Sequence, residues 1–188
     1  MKDKLDFYIN GAWVQSASSE KIEVINPANE EVIGHVTAGT KEDIDIAVNA
    51  AAKAFESFAD SSKAERVELL KRVIAEYENR MQDFIDTISE EMGAPMWLSG
   101  AAQAATGLKN LKETLEALEE YEFEKPEGSY ILRKEPIGVV GMITPWNWPM
   151  KQITTKVSAA LASGCTMVLK PSEISPYCAM LLAEVFDA

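Results

Sequence analysis

The sequence predicts an α/β fold built on a parallel sheet, and three observations carry that prediction. Two short apolar runs, residues 139–143 and 166–169, flank an Ala-rich helical segment that begins at Pro149. Each run ends in a polar cluster: Thr144-Pro145-Trp146-Asn147-Trp148-Pro149 after the first, Lys170-Pro171-Ser172-Glu173 after the second. A further helical segment opens at Ser175-Pro176, so strands and helices alternate, and alternation favours parallel strands joined by right-handed crossovers. Ligands of open α/β sheets sit in the crevice outside the carboxyl ends of the strands, where both polar clusters fall.

The elements before this unit follow from local signals. Asn10-Gly11 between Phe7-Tyr8-Ile9 and Ala12-Trp13-Val14 is a hairpin signal, because Asn and Gly tolerate the positive φ of a tight primed turn. Residues 22–25 and 31–36 read as strands separated by the Asn26-Pro27 turn. Thr40 with Asp43 predicts a capped helix whose Ile44, Ala47, Val48, Ala51 and Phe55 share one face. Ser62 with Glu65 predicts a second, with Val67, Leu70, Val73, Ile74 and Tyr77 on its stripe. Phe84, Ile85, Ile88 and Met92 define a third, ended by Gly93. Pro95 opens a fourth that reaches about Tyr121, and its Ala101-Ala102-Gln103-Ala104-Ala105 run suggests close helix packing. Lys125-Pro126-Glu127-Gly128 reads as a turn and residues 129–134 as a strand. Pro149 suits the first helical position, where no N–H is needed, and that helix ends near Gly164. Two or three strands of the parallel sheet are expected, with residues 166–169 a buried type of strand.

Composition narrows the function. At 188 residues, 47% hydrophobic and 26% charged, the chain is expected to form one globular domain with a real core. A net charge of -12 opposes binding to phosphate backbones, so nucleic acid is excluded as a partner. The acidic residues thicken between Glu113 and Glu127, which reads as a solvated helix face leading into a polar arm. Two cysteines are too few for a disulfide framework and suit a reducing compartment. No secretory h-region and no apolar stretch of membrane-spanning length is visible. The expectation is a cytoplasmic protein with no membrane partner.

The two strand ends carry the chemistry. Two prolines fix the backbone on either side of Asn147. A rigid carboxamide at a strand end can donate to a developing oxyanion, a contribution of roughly 3 kcal/mol to a transition state. A packed aromatic turn is the alternative. Lys170 and Glu173 can grip vicinal hydroxyls, the Lys donating and the Glu accepting; a solvated salt bridge is the alternative. Lys156, in Ile153-Thr154-Thr155-Lys156-Val157-Ser158, is either a proton-exchanging lysine in an apolar setting or a snorkelling surface lysine. Cys165 and Cys178 read as small structural hydrophobes. His35 has no Cys or carboxylate cluster beside it in sequence, so no metal site is expected.

Taken in order, Tyr8-Ile9-Asn10-Gly11, Asn26-Pro27-Ala28, Pro136-Ile137-Gly138-Val139-Val140, Pro145-Trp146-Asn147 and Lys170-Pro171-Ser172-Glu173 resemble the aldehyde dehydrogenase superfamily over nearly the whole chain. The resemblance implies an incomplete Rossmann-like parallel sheet with N-terminal hairpins, flanking helices and an extended oligomerisation arm at residues 122–135. Residues 1–188 would be the N-terminal part of the cofactor-binding domain, with the catalytic domain absent. The implied parent oxidises a small-molecule aldehyde to a carboxylic acid with NAD(P)+ through a cysteine thiohemiacetal, as a homo-oligomer.

By that resemblance Asn147 helps hold the substrate carbonyl oxygen and is a catalytic residue. Ile143, Thr144, Pro145 and Trp146 line the nicotinamide side of the cofactor site, and Asn147 borders the cofactor there as well. Lys170 and Glu173, with Pro171 and Ser172 between them, bind the adenosine ribose. Lys156 inherits a proton-relay role. A carboxylate at position 173 opposes a 2′-phosphate, which tilts the cofactor to NAD, with NADP open. The family's Gly-x-Thr-x-x-Gly turn, Glu-Leu-Gly-Gly segment and catalytic cysteine motif are not in the sequence, so the 188 residues alone are expected to be inactive. Lys151 and Gln152 make the substrate entrance more polar than in relatives, a hint of a polar or anionic aldehyde. A non-catalytic interaction or oligomerisation module derived from the family is the alternative function.

Overall fold

The computed structural model describes residues 2–188. Strand β1 (Asp6–Ile9) turns into β2 (Ala12–Gln15) through Asn10 and Gly11, whose φ angles of 55° and 71° make the primed turn. β3 (Lys21–Asn26) and β4 (Glu31–Thr37) form a second antiparallel pair. The capping residues then start α1 (Lys41–Phe58) at Thr40 and α2 (Lys63–Asn79) at Ser62, each with a reciprocal side-chain to backbone box. α3 (Met81–Met92) stops at Gly93, whose φ of 75° is left-handed.

The long helical region after Pro95 is not uniform. It comprises α4 (Met96–Leu98), a π-helical segment Ser99–Ala104 and α5 (Ala105–Glu120). Close packing is made just beyond the Ala101–Ala105 run, at Gly107, where an added Cβ would collide with the Tyr77 hydroxyl and lie 3.0 Å from Met150 Cβ. The Tyr77 hydroxyl donates to the Ala104 carbonyl at 3.0 Å, so α2 buttresses the π-helical segment.

Beyond α5 the arm is a hairpin of β5 (Glu124–Glu127) and β6 (Tyr130–Arg133). This corrects the expected turn at Lys125-Pro126-Glu127-Gly128: residues 125–127 are strand, and the chain turns at Gly128, φ 65°. Pro126 is tolerated because it lies one residue from the pair Glu127↔Tyr130 that closes the turn. In an antiparallel ladder hydrogen-bonded pairs alternate with non-bonded ones, so Pro126 needs no N–H there. The arm is also less polar than expected, since Tyr130, Ile131 and Leu132 are all exposed.

Strand β7 (Val139–Ile143), helix α6 (Pro149–Ser163) and strand β8 (Thr166–Lys170) form the parallel unit, followed by α7 (Tyr177–Asp187). Among the described residues the parallel sheet has two strands, paired from Val139↔Thr166 to Ile143↔Lys170. β8 is therefore only partly buried, in contrast to the buried strand its apolar sequence suggested. Likewise Ile44 and Val48 of the α1 stripe are exposed, and Ala51 is the residue of that stripe that is buried, with its carbonyl accepting from Thr166 Oγ1 at 2.8 Å.

The core lies among α2, α3, α5, α6 and α7, centred on Leu70, Tyr77, Phe84, Ile88, Leu111, Met150 and Leu182. Tyr77 and Phe84 stack with ring centroids 4.2 Å apart. Two buried charged groups join helices to loops. Arg66 donates to the Ser61 carbonyl in the loop before α2 and to the Ala162 carbonyl, an orphan acceptor in the last turn of α6, and sits 5.0 Å over the Phe123 ring. Glu91 accepts from the Tyr177 and Cys178 N–H groups at 2.6 and 3.0 Å, which ties α3 to the N-terminus of α7. Burial pushes the Glu91 carboxyl up to about 7, against the pull of the donors around it.

Candidate functional site

The two parallel strands end side by side because their register ends at Ile143↔Lys170. The Thr144 N–H donates across to the Lys170 carbonyl at 3.4 Å, and Ser175 Oγ donates to the Trp146 carbonyl at 3.4 Å. The stretches 143–147 and 170–173 thus share one rim, as the sequence suggested.

The first strand end is a held turn. Three successive carbonyls each accept a hydrogen bond: Trp146 from Ser175, Asn147 from Gln103 Nε2 at 3.4 Å, and Trp148 from the Gln152 N–H at 2.9 Å. Thr144 is buried below the turn, and Pro149 takes the first helical position of α6. The Asn147 side chain stands exposed on this support, beside the half-exposed Trp146 ring and the exposed Ile143. A carboxamide presented from a fixed backbone is what an oxyanion donor needs.

The second strand end is held by charge. Lys170 Nζ and Glu173 Oε2 are 2.8 Å apart, with both side chains more than half exposed at 60% and 56%. The Lys170 hydrogen bond holds the Glu173 carboxyl below the usual carboxylate range. Ser172 Oγ accepts from the Ile174 N–H at 3.2 Å and shapes the loop. The salt-bridge reading of Lys170 and Glu173 is therefore realised, and the same two groups offer one donor and one acceptor to a vicinal diol. This donor set fits a ribose.

Lys156 makes its hydrogen bonds within α6. It is seven residues into α6, roughly 10 Å along the axis from Pro149, half-buried, with its ammonium near the Gln152 carbonyl at 3.3 Å and Gln152 Oε1 at 3.5 Å. Cys165 and Cys178 are both buried, and burial raises the Cys178 thiol well above its ordinary range. His35 has a carboxylate neighbour after all, since Asp3 Oδ1 lies 3.0 Å from its Nδ1. Sequence separation hid that pair. No group of three potential metal ligands occurs among the described residues. A recess of about 530 Å³ between α3 and the β3–β4 turn, bordered by Lys2, Asn26, Asp86 and Glu90, shares no residue with either strand end. Gln103 and Ser175 were not foreseen as site residues. The one signal for Gln103 was a lone amide in a run of alanines, and Ser175 read only as a helix opener.

Residues 13–188 match the aldehyde dehydrogenase family. The chain is 47% identical over 188 residues to 3-succinoylsemialdehyde-pyridine dehydrogenase of Pseudomonas sp, covering all of this chain and 39% of that protein. It superposes on the crystal structure of aldehyde dehydrogenase from Bartonella henselae with a TM-score of 0.97 at 46% identity, covering 100% of this chain and 40% of that one. It superposes on an aldehyde dehydrogenase C mutant from Pseudomonas syringae, complexed with NAD+ and octanal, with a TM-score of 0.96 at 41% identity, covering 97% and 38%. The chain thus spans about 39% of the length of the curated relatives it matches. No helix among the described residues is long and apolar enough to cross a membrane.

Proposed function

The chain belongs to the aldehyde dehydrogenase family, and from that premise we propose that it is the N-terminal part of the cofactor-binding domain of an enzyme that oxidises an aldehyde to a carboxylic acid with NAD(P)+. The observation that carries this reading is the shared rim: the Ile143↔Lys170 register sets the Asn147 turn beside the Lys170–Glu173 pair. Asn147 donates from its carboxamide to the substrate carbonyl oxygen as negative charge develops there. Ile143, Thr144, Pro145 and Trp146 form the wall for the nicotinamide side, and Lys170, Pro171, Ser172 and Glu173 hold the adenosine ribose. Bound along this rim, the dinucleotide supplies a hydride acceptor. The negative charge of Glu173 favours NAD over NADP, as does the NAD+ bound in the Pseudomonas syringae relative.

Lys156 carries protons between α6 and solvent in this reading. Lys151, whose ammonium lies 5.7 Å from the Trp148 ring centre, favours a polar aldehyde at the entrance. The arm at 122–135, with Tyr130, Ile131 and Leu132 exposed, serves homo-oligomer assembly of the intact enzyme in the cytoplasm. The 188 residues alone do not oxidise aldehydes, because both of their cysteines are buried and the cysteine and glutamate that the family's chemistry requires are not among them. The exposed apolar strand of the arm also favours a second reading, an interaction module that joins intact subunits; co-purification with a full-length relative supports it and a clean monomer contradicts it.

The test compares turnover with NAD and NADP in a full-length enzyme that carries these residues, next to the 188-residue chain. Oxidation with NAD preferred, together with an inert short chain, is the expected result. A strong NADP preference overturns the role given to Glu173, and measurable oxidation by the short chain overturns its assigned inactivity.

A further inference from the structure

The most unusual stretch of backbone in the molecule is the π-helical segment Ser99–Ala104. Such segments are rare, occur mostly as single-turn bulges inside α-helices, and are frequent at functional sites. This one is held from below by the Tyr77 hydroxyl on the Ala104 carbonyl and by the close approach of Gly107 to Tyr77 and Met150. Its one side-chain amide, Gln103, is only 3% exposed. A carbonyl oxygen can only accept, so the Gln103 atom that faces the Asn147 carbonyl is the donor Nε2, and the orientation of the amide follows. The other amide atom, Oε1, is then buried with no hydrogen-bond partner among the described residues. An unpaired buried acceptor is destabilising, and an apolar side chain of the same size would fill the space without that penalty. What the apolar side chain would lack is the donor to Asn147.

We propose that Gln103 is a positioning residue for Asn147, its amide fixing the peptide plane that follows Asn147 and so the direction in which the Asn147 carboxamide points. Ser175 and Gln152 hold the carbonyls on either side, but Gln103 holds the carbonyl of the functional residue itself. The bond is long at 3.4 Å, in keeping with catalytic supports that tighten when substrate binds. This proposal rests on the reading of Asn147 as the oxyanion donor.

The experiment uses a full-length enzyme that carries these residues, with Gln103→Leu, Gln103→Glu, Asn147→Ala and the double variant Gln103→Leu/Asn147→Ala. Gln103→Leu is expected to lower kcat about tenfold while leaving the NAD dissociation constant unchanged, as misplacement of a reacting-centre group does. Hydrogen exchange of the 144–149 turn speeds up in that variant, while that of α5 stays as it was. The double variant turns over no more slowly than Asn147→Ala alone, because the two residues act as a unit. Gln103→Glu donates only when its buried carboxyl is protonated, so its kcat recovers as pH falls, a limb that wild type lacks. Wild-type kcat in Gln103→Leu, or losses that multiply in the double variant, overturn the proposal. If Gln103→Leu does not fold, a Gln103→Glu profile parallel to wild type overturns it. Wild-type kcat in Asn147→Ala instead overturns the reading of Asn147, a distinct outcome.

Discussion

The two strand ends are built alike and held differently. After β7 the chain is pinned by packing: two prolines, a buried Thr144 and three consecutive carbonyls each given a donor. After β8 its side chains are held at the surface by an exposed ion pair, Lys170–Glu173, with Ser172 shaping the loop. An exposed pair contributes little to stability, typically about 0–1 kcal/mol, and either partner can exchange the other for a ligand hydroxyl. A turn with three successive carbonyls paired cannot rearrange so cheaply. The difference separates two tasks. In the function proposed above, the first end aims a donor at a reaction centre, where small displacements are expensive. In the same proposal the second grips a ligand that comes and goes.

The largest expected effect breaks the pinned end at its tip. In a full-length enzyme carrying these residues, Asn147→Ala is predicted to lower kcat by about 10²–10³-fold, the usual loss of one oxyanion donor; steady-state kinetics on an aldehyde measures it. Next comes the support beneath that end. Gly107→Ala places a methyl group against the Tyr77 hydroxyl and Met150, so it displaces the buttress of the π-helical segment. An overpacking penalty of about 1–3 kcal/mol is expected in chemical denaturation, and the exchange rates of the 144–149 turn rise with it.

A third prediction concerns the anchor of the looser end. Glu91 receives the first N–H groups of α7, which begins four residues after Glu173. Its carboxyl stands at about 7 when folded against 4.5 ordinarily, because burial opposes the charge. The folded chain therefore holds this proton more tightly than the unfolded chain. The resulting contribution is present in full below pH ~4.5, falls as pH rises through about 7, and is absent above. Its size is on the order of 3 kcal/mol at most. Glu91→Gln cannot titrate, so the stability of wild type relative to this variant is predicted to decline across that window; denaturation at a series of pH values checks it. The smallest effect belongs to the exposed pair. Glu173→Gln removes one charge that opposes a 2′-phosphate, worth about 1 kcal/mol or roughly a fivefold gain in relative use of NADP. Stability is expected to change by less than about 0.5 kcal/mol.

Most of the framework was legible in the sequence because its signals are local. Asn10-Gly11, the Thr40–Asp43 and Ser62–Glu65 boxes, Gly93 and Pro149 each act within a few residues of themselves, and each does in the structure what its chemistry requires. The rim of residues 143–147 and 170–173 was legible too, since parallel strands in register bring their ends together. What escaped was set by contacts between distant segments. Pro126 reads as a turn former until its pairing with Ile131 shows that no N–H is needed. Ile44 and Val48 fit a helical stripe, yet periodicity says nothing about whether a partner covers it. Asp3 lies 32 residues from His35 in sequence. Gln103 lies 44 residues from Asn147, and a π-helical turn has no sequence signature that an Ala-rich run would betray.

The division of labour between the two ends is tested most directly by the dissociation constant of NAD, measured by calorimetry on wild type, Asn147→Ala and Lys170→Ala of a full-length enzyme carrying these residues. The account predicts that Asn147→Ala binds NAD as wild type does, and that Lys170→Ala binds it about tenfold more weakly, the loss of a charged hydrogen bond. Unchanged binding in Lys170→Ala, with weakened binding in Asn147→Ala, would contradict it.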